Sequence, residues 1–207
     1  MKPTPYVREP GYALRYRDQR FQSGSGPRTD DRERRALRRL LADVVPPPGP
    51  WLDVPSGAGR MSQELPSPVI QADRNPEMLR AIDGREQRAC ACATALPFRD
   101  DTFAGTLCCR LLQHLPAAAE RVAVLRELCR VSRGPVLVTF FDRRSLQSLR
   151  RAVRRALGKA RSGRSSITRA EFQREARAAG LRVVRFVALR RFLAEQTFAL
   201  CLPDAAT

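Results

Sequence analysis

Residues 51–60 have the sequence WLDVPSGAGR, a short apolar run followed by a turn that contains two glycines. The apolar run predicts a buried strand, and Gly57 and Gly59 predict the turn after it. A glycine-bearing turn between a strand and a helix lets backbone N–H groups come close to a ligand. We therefore predict a ligand site at this turn and a helix from about Arg60.

The chain after this turn alternates between short apolar strands and helical segments. A second strand over 69–72 ends at Asp73, a carboxylate that can bind ribose hydroxyl groups. Pro76 suits the first turn of the next helix. The segments that follow are a strand at 89–93, a loop at 95–101, a strand at 103–109, a helix at 117–131 and a strand at 136–141. This alternation predicts a parallel sheet with right-handed crossovers.

The regions on either side of this unit complete the predicted domain. We expect a helix with Thr29 as its N-cap and, near the end of the chain, a capping box at Thr168. The other predicted elements are a basic amphipathic helix over 143–160, a helix over 169–179 and two strands at 181–189 and 197–202. The predicted organisation is an N-terminal arm (1–28) and one domain (29–207) with a basic helical insertion at about 143–166.

Five motifs occur in an order that resembles one enzyme family. They are LDVPSGAGRM at 52–61, IQADRNPEML at 70–79, ALPFRDDTF at 95–103, LLQHL at 111–115 and VLVTFFD at 136–142. This set resembles the class I S-adenosylmethionine (SAM) dependent methyltransferases, particularly the type 11 group, over about residues 29–203. The resemblance implies a Rossmann-like α/β fold, with a mostly parallel seven-stranded sheet, an antiparallel last strand and helices on both faces. It also implies SAM as the cofactor.

The resemblance assigns individual residues to the cofactor. Asp53 would orient the glycine turn or bind the amino group of the methionine part, and Asp73 would bind the ribose hydroxyls. The purely structural alternatives are a turn-stabilising carboxylate for Asp53 and a helix cap for Asp73. The further cofactor-binding candidates are Ser56, Gly57, Ala58, Gly59, Arg74, Met78, Ala93, Thr94, Cys109 and Arg110.

His114 is the only histidine of the chain. Its unperturbed pKa lies near neutrality, so it could accept a proton at the mouth of the pocket. A packed or half-exposed helix residue is the alternative. We predict His114 as the catalytic candidate and no metal site, because no two of the six cysteines have CxxC spacing.

Three residues depart from the family's pattern. Pro55 replaces the first glycine of the turn, Cys92 replaces an acid that receives the adenine amino group, and Ala104 replaces an Asp. These departures motivate an alternative function, a non-catalytic SAM-fold module that docks to an anionic partner.

A nicotinamide-dependent oxidoreductase is not favoured. Its turn requires a third glycine, where this chain has Ser62, and its acid lies about 20 residues further on. Here Asp73 lies only 14 residues after Gly59.

The charge is distributed unevenly. There are 38 Lys and Arg residues against 21 Asp and Glu, a net charge of +17, of which +5 lies in 1–50, none in 51–142 and +12 in 143–207. Codon bias alone would not leave the middle of the chain neutral. We predict a small-molecule or lipid-like acceptor, with peripheral contact to an anionic membrane as a further expectation. RNA is less favoured, because no platform of alternating aromatic and basic residues is visible.

The expected cellular location depends on two features that are not found in the sequence. No apolar run reaches the roughly 18 residues of a membrane span, and the N-terminal stretch has no apolar signal region. We therefore expect a cytoplasmic methyltransferase, with the inner face of the membrane as a site of peripheral contact.

Overall fold

Seven strands form the central sheet of the protein, in a computed structural model that describes residues 11–22, 24–84, 87–148, 164–189 and 195–204. The strands are β1 (Trp51–Asp53), β2 (Val69–Asp73), β3 (Gln87–Cys90), β4 (Gly105–Cys108), β5 (Val136–Phe141), β6 (Leu181–Ala188) and β7 (Gln196–Pro203). Their order across the sheet is β3-β2-β1-β4-β5-β7-β6.

The first five strands are parallel to one another, and β7 is antiparallel to both of its neighbours, β5 and β6. The carboxyl ends of β1 to β5 therefore meet at one edge of the sheet. The predicted fold class, a mostly parallel sheet with an antiparallel last strand, is confirmed.

The α-helices around this sheet include α1 (Tyr12–Gln19), α2 (Gly26–Leu41), α3 (Pro76–Arg80), α4 (Ala118–Val131) and α5 (Arg169–Ala178). Residues 146–148 are helical as well. One apolar core joins the sheet to α4 and α5, through Leu125 and Phe172 among others. A second core joins the sheet to α2, through Leu37 and Leu40. Helices thus cover both faces, as the family resemblance implies.

The helix predicted to start after Thr29 begins earlier. Ser25 is the N-cap of α2, and the Thr29 hydroxyl donates a hydrogen bond of 2.8 Å to the Ser25 carbonyl from within the helix. The prediction of Thr29 as the N-cap was wrong. Pro27 occupies the first turn of α2, where a missing N–H costs no hydrogen bond, so the helix can start before the threonine.

The helix predicted from about Arg60 was also wrong. The segment contains only a 3₁₀ turn at Ser62–Glu64, after which Leu65 is extended with φ −89° and ψ 151°. Leu65 precedes Pro66, and a residue before proline is forced out of the helical region. Six residues lie between Gly59 and Pro66, too few to repay the cost of nucleating a helix.

The other elements agree with the sequence predictions to within a few residues. The capping box at Thr168 is present, since its hydroxyl accepts from the Glu171 N–H and the Glu171 carboxylate accepts from the Thr168 N–H. Most of the predicted basic helix over 143–160 lies outside the described residues. No helix in the described part of the chain is long and apolar enough to cross a membrane.

Candidate active site

The glycine turn lies at the carboxyl edge of the sheet, between β1 and β2. The Ser56 N–H donates 2.8 Å to the carbonyl of Ala72 in β2, and the Gly59 N–H donates 3.0 Å back to Ser56. Gly57 and Gly59 have φ values of 56° and 77°, in the left-handed region that favours glycine. A Cβ at Gly59 would also come within 3.2 Å of the Gln71 side chain, so this position requires glycine for space as well.

Asp73 fastens the glycine turn to the start of α3. Its Oδ2 accepts 2.9 Å from the Gly57 N–H and its Oδ1 accepts 2.8 Å from the Asn75 N–H. Burial raises the pKa of Asp73, and the two amide hydrogen bonds act in the opposite direction. The N-cap of α3 is Asn75, whose side chain accepts 3.0 Å from the Glu77 N–H, so Asp73 is not the helix cap. Asp73 instead places a carboxylate beside the turn.

Asp53 is more deeply buried, at the end of β1. The Ser62 hydroxyl donates 2.6 Å to its Oδ2, while its Oδ1 has no hydrogen-bond partner within the described part of the chain. Burial raises the pKa of this carboxyl to about 7. An unpartnered buried oxygen costs free energy, and a ligand that donates a hydrogen bond would relieve that cost.

The N-terminal helix reaches this site. Ala13 of α1 is 4% exposed and forms a small apolar cluster with Met78 and Ala81. Ala58 of the glycine turn and Tyr16 of α1 pack against the same cluster. The Met78 methyl lies 3.4 Å from the position that a Cβ on Gly57 would take. The structure thus brings Ala58 and Met78 together and covers them with α1.

Arg110 follows β4 in a constrained backbone conformation. Its φ is 61°, and its N–H donates 2.7 Å to the Thr139 hydroxyl on β5. Its guanidinium binds Glu33 of α2 at 2.7 Å. The neighbouring thiol of Cys109 is buried, and burial raises its pKa to about 12, so that it stays protonated at neutral pH.

Glu33 is a site residue that the sequence analysis missed. It is fully buried and also binds Arg60 at 2.5 Å, so one carboxylate holds two guanidinium groups from different segments. The Phe21 ring lies over the same two groups, 4.0 Å from Arg60 and 5.4 Å from Arg110. The available signal was the position of Glu33 four residues before Leu37, on the buried face of α2.

Ala93 and Thr94 lie after β3, near the same edge of the sheet. Ala93 packs against the larger core, and the Thr94 hydroxyl lies 3.1 Å from the sulfur of Cys92. No hydrogen bond within the described residues joins either one to the glycine turn. The structure therefore groups the turn, Asp73 and Met78 through direct contacts, while Ala93 and Thr94 follow the neighbouring strand β3 without such a contact.

His114 ends the 3₁₀ turn Leu112–His114 that follows β4, and the residue is partly exposed to solvent. Enclosure by neighbouring protein atoms lowers its pKa, and the positive charges of Arg164, Arg110 and Arg74 act in the same direction. The imidazole is consequently neutral at pH 7 and has a free nitrogen lone pair.

These residues fit SAM. Gly57 and Gly59 leave two positions of the turn without side chains at the carboxyl edge of the sheet, and Asp73 offers a carboxylate beside it. The unpartnered Oδ1 of Asp53 can accept from a cationic donor.

The comparisons with known proteins agree with this geometry. Residues 52–137 match a family model described as a methyltransferase domain. The resemblance to class I SAM-dependent methyltransferases is confirmed. The family model and the fold together confirm the predictions of a methyltransferase enzyme and of SAM as its cofactor. No curated protein matches this chain.

Many solved structures share the fold. A magnesium protoporphyrin IX methyltransferase from Synechocystis, solved with S-adenosylhomocysteine (SAH), is 15% identical with a TM-score of 0.73, and the match covers 96% of this chain and 97% of that one. A SAM-dependent methyltransferase from Methanosarcina mazei is 19% identical with a TM-score of 0.65, covering 81% and 98%. A Haloferax volcanii protein solved in complex with a methyltransferase activator is 14% identical with a TM-score of 0.66, covering 87% and 93%. The comparisons give no support to the alternative of a non-catalytic module.

Proposed function

We propose that this methyltransferase transfers the methyl group of SAM to a small-molecule or lipid-like acceptor. The observation that carries the proposal is the Asp73 carboxylate hydrogen-bonded to the Gly57 amide at the carboxyl edge of the sheet. Ligands of open α/β sheets bind at this edge. The cytoplasm, with peripheral contact at the inner membrane face, remains the proposed location.

The proposed contacts of SAM follow the order of the strands. Asp73 would bind the ribose hydroxyls, with Arg74, Met78, Ala93 and Thr94 around the adenine. The methionine end would face residues after β1 and β4, namely Asp53, Ser56, Gly57, Ala58, Gly59, Cys109 and Arg110.

The chemistry places limited demands on the protein. When bound, SAM supplies the methyl group as an electrophilic sulfonium, so the side chains mainly bind, orient and exclude water. His114 would accept the proton that the acceptor atom loses, because its lowered pKa leaves the imidazole neutral at pH 7. The protonated thiol of Cys109 does not supply a thiolate nucleophile at that pH.

The first test is thermal unfolding with SAM and with SAH. At about 100 times the Kd, each ligand should stabilise the protein by about 2.7 kcal/mol, a rise in Tm of roughly 5–10 °C. Asp73→Ala should lose the shift, because it removes the carboxylate proposed for the ribose. Asp204→Asn is the matched control, since its closest described cation is Arg182 at 4.0 Å, near the chain end. A full shift in Asp73→Ala would contradict the assignment.

The second test concerns the acceptor. The protein is incubated with SAM labelled in the methyl group and with three separate pools: small metabolites, phospholipids and RNA. Label should enter the small-molecule or the lipid pool. Label that enters RNA alone would overturn the proposed acceptor class while leaving SAM dependence intact.

A further inference from the structure

Basic side chains gather where the carboxyl ends of three strands meet. Arg74 directly follows β2, Arg110 and His114 follow β4, and Arg164 lies against the end of β5. The guanidinium carbon of Arg164 is 6.0 Å from the centre of the Phe141 ring, on the last residue of β5. These four residues, which we call the basic rim, share the edge of the sheet that holds the glycine turn.

Backbone hydrogen bonds fix Arg164 in this place. The N–H of Ser165, its neighbour, donates 2.8 Å to the Gln113 carbonyl, one residue before His114. The N–H of Ile167 donates 2.9 Å to the Phe141 carbonyl. The segment that carries Arg164 is thus attached both to the turn with His114 and to β5.

The basic rim is positive on balance. Arg74, Arg110 and Arg164 are all close enough to His114 to lower its pKa. Arg110 is held by the buried carboxylate of Glu33, whereas Arg74 and Arg164 are exposed at the surface.

Asp73 and Asp142, two carboxylates at this edge of the sheet, have hydrogen-bond partners other than Arg164. Asp73 accepts two backbone amide hydrogen bonds, and Asp142 binds Arg169 at 3.0 Å. Neither therefore neutralises Arg164 directly. An anion that enters this edge of the sheet beside His114 meets the guanidinium of Arg164.

We propose that the methyl acceptor carries an anionic group, a carboxylate or a phosphate, which binds Arg164 beside His114. Guanidinium groups suit this role because their planar N–H donors match the geometry of both anions. The inference rests on the proposed methyl transfer, since it assigns the acceptor side of that same site. The anion would orient the acceptor, while the atom to be methylated points towards the cofactor.

The test is calorimetric titration of the full-length protein, with and without saturating SAH. The probes are phenyl phosphate, benzoate and the neutral benzamide. We expect both anions, or one of them, to bind at least about tenfold more tightly than benzamide. The anion that binds more tightly identifies the group.

Variants locate the site. Arg164→Gln should weaken the binding of the anionic probes about tenfold and leave SAH binding unchanged. Arg99→Gln is the control: Arg99 is exposed in the loop that precedes β4, at the opposite edge of the sheet. Arg164→Ala repeats the test if Arg164→Gln does not fold.

Equal affinity for anionic and neutral probes, or unchanged anion affinity in Arg164→Gln or Arg164→Ala, would overturn the inference. The measurement of SAH binding tests the methyltransferase proposal separately. Loss of SAH binding with anion binding retained would refute that proposal and keep the anion site.

Discussion

The buried carboxyl of Asp53 makes the stability of the ligand-free protein depend on pH. Burial raises its pKa to about 7 in the folded chain, from the ordinary value of 3.8 for an aspartate, so the folded state holds this proton more tightly than the unfolded state. The stabilisation of the folded state by the protonated Asp53 is fully present below about pH 4 and is lost as the pH rises towards 7. Asp53→Asn abolishes the titration and keeps an oxygen for the Ser62 hydroxyl.

We compare the free energy of unfolding of Asp53→Asn with that of the wild type at pH 5 and at pH 7.5. The difference should shift in favour of Asp53→Asn by about 3 kcal/mol from the lower pH to the higher. Urea unfolding at the two pH values measures this difference. Asp204→Asn, which is partly exposed, should show no such change. A difference between Asp53→Asn and the wild type that is the same at both pH values would show that Asp53 is ionised in the folded protein at pH 5.

At the scale of single residues, the sequence predicted side chains whose place follows from the strand that carries them. Asp53 and Asp73 end strands, so their position at the carboxyl edge required only the strand pattern. Glu33 could not be found in this way, because its partners Arg60 and Arg110 lie 27 and 77 residues away in the chain. Only the tertiary fold brings a buried carboxylate between them.

At the scale of elements, α1 is expected to support cofactor binding. Its residue Ala13 packs with Met78 and Ala81 beside the glycine turn. Ala13→Glu would place a charge in this apolar contact, at a cost that would undock the helix. We expect a loss of SAH affinity of about tenfold, because Met78 and Ala58 lose their cover.

Leu14→Glu is the matched control for that experiment. Leu14 is the next residue of the same helix and is 49% exposed, so the same charge enters water there. Calorimetric titration with SAH should give the wild-type affinity. If Ala13→Glu binds SAH as tightly as Leu14→Glu does, then α1 has no part in the cofactor site.

The predicted elements succeeded or failed according to local chemistry. The capping box at Thr168 was predictable because its two hydrogen bonds join residues three apart. The helix expected from Arg60 failed because Pro66 follows so closely, and its effect outweighed the strand-and-turn pattern from which the helix was predicted. The start of α2 was misplaced because Ser25 and Thr29 are both acceptable caps, and Pro27 favours the earlier one.

At the scale of the whole molecule, the position of β7 makes the sheet one unit. This strand comes last in the chain, yet it lies between β5 and β6. Alternating strands and helices predicted the parallel part of the sheet from the sequence alone. The insertion of β7 was expected only from the family resemblance, since apolar patterns do not specify which strands become neighbours.

Phe198 tests whether this unit unfolds cooperatively. It is fully buried on β7, in the same core as Trp51 of β1, the only tryptophan of the chain. We expect Phe198→Ala to lower the free energy of unfolding by about 3–5 kcal/mol with an unchanged m value, and Phe198→Leu to lower it less. Val45→Ala, at a position 98% exposed, should change it by less than about 0.5 kcal/mol.

Two signals recorded in the same urea titration show whether the sheet unfolds as one cooperative unit. Trp51 fluorescence reports on β1 and the core it shares with β7, while far-UV circular dichroism reports on all helices and strands. Because β7 connects β6 to the parallel strands, both signals should change at one urea concentration in the wild type and in the Phe198 variants. A circular dichroism change that precedes the fluorescence change would mean that part of the structure, such as the terminal β6–β7 pair, separates before the core around Trp51 unfolds.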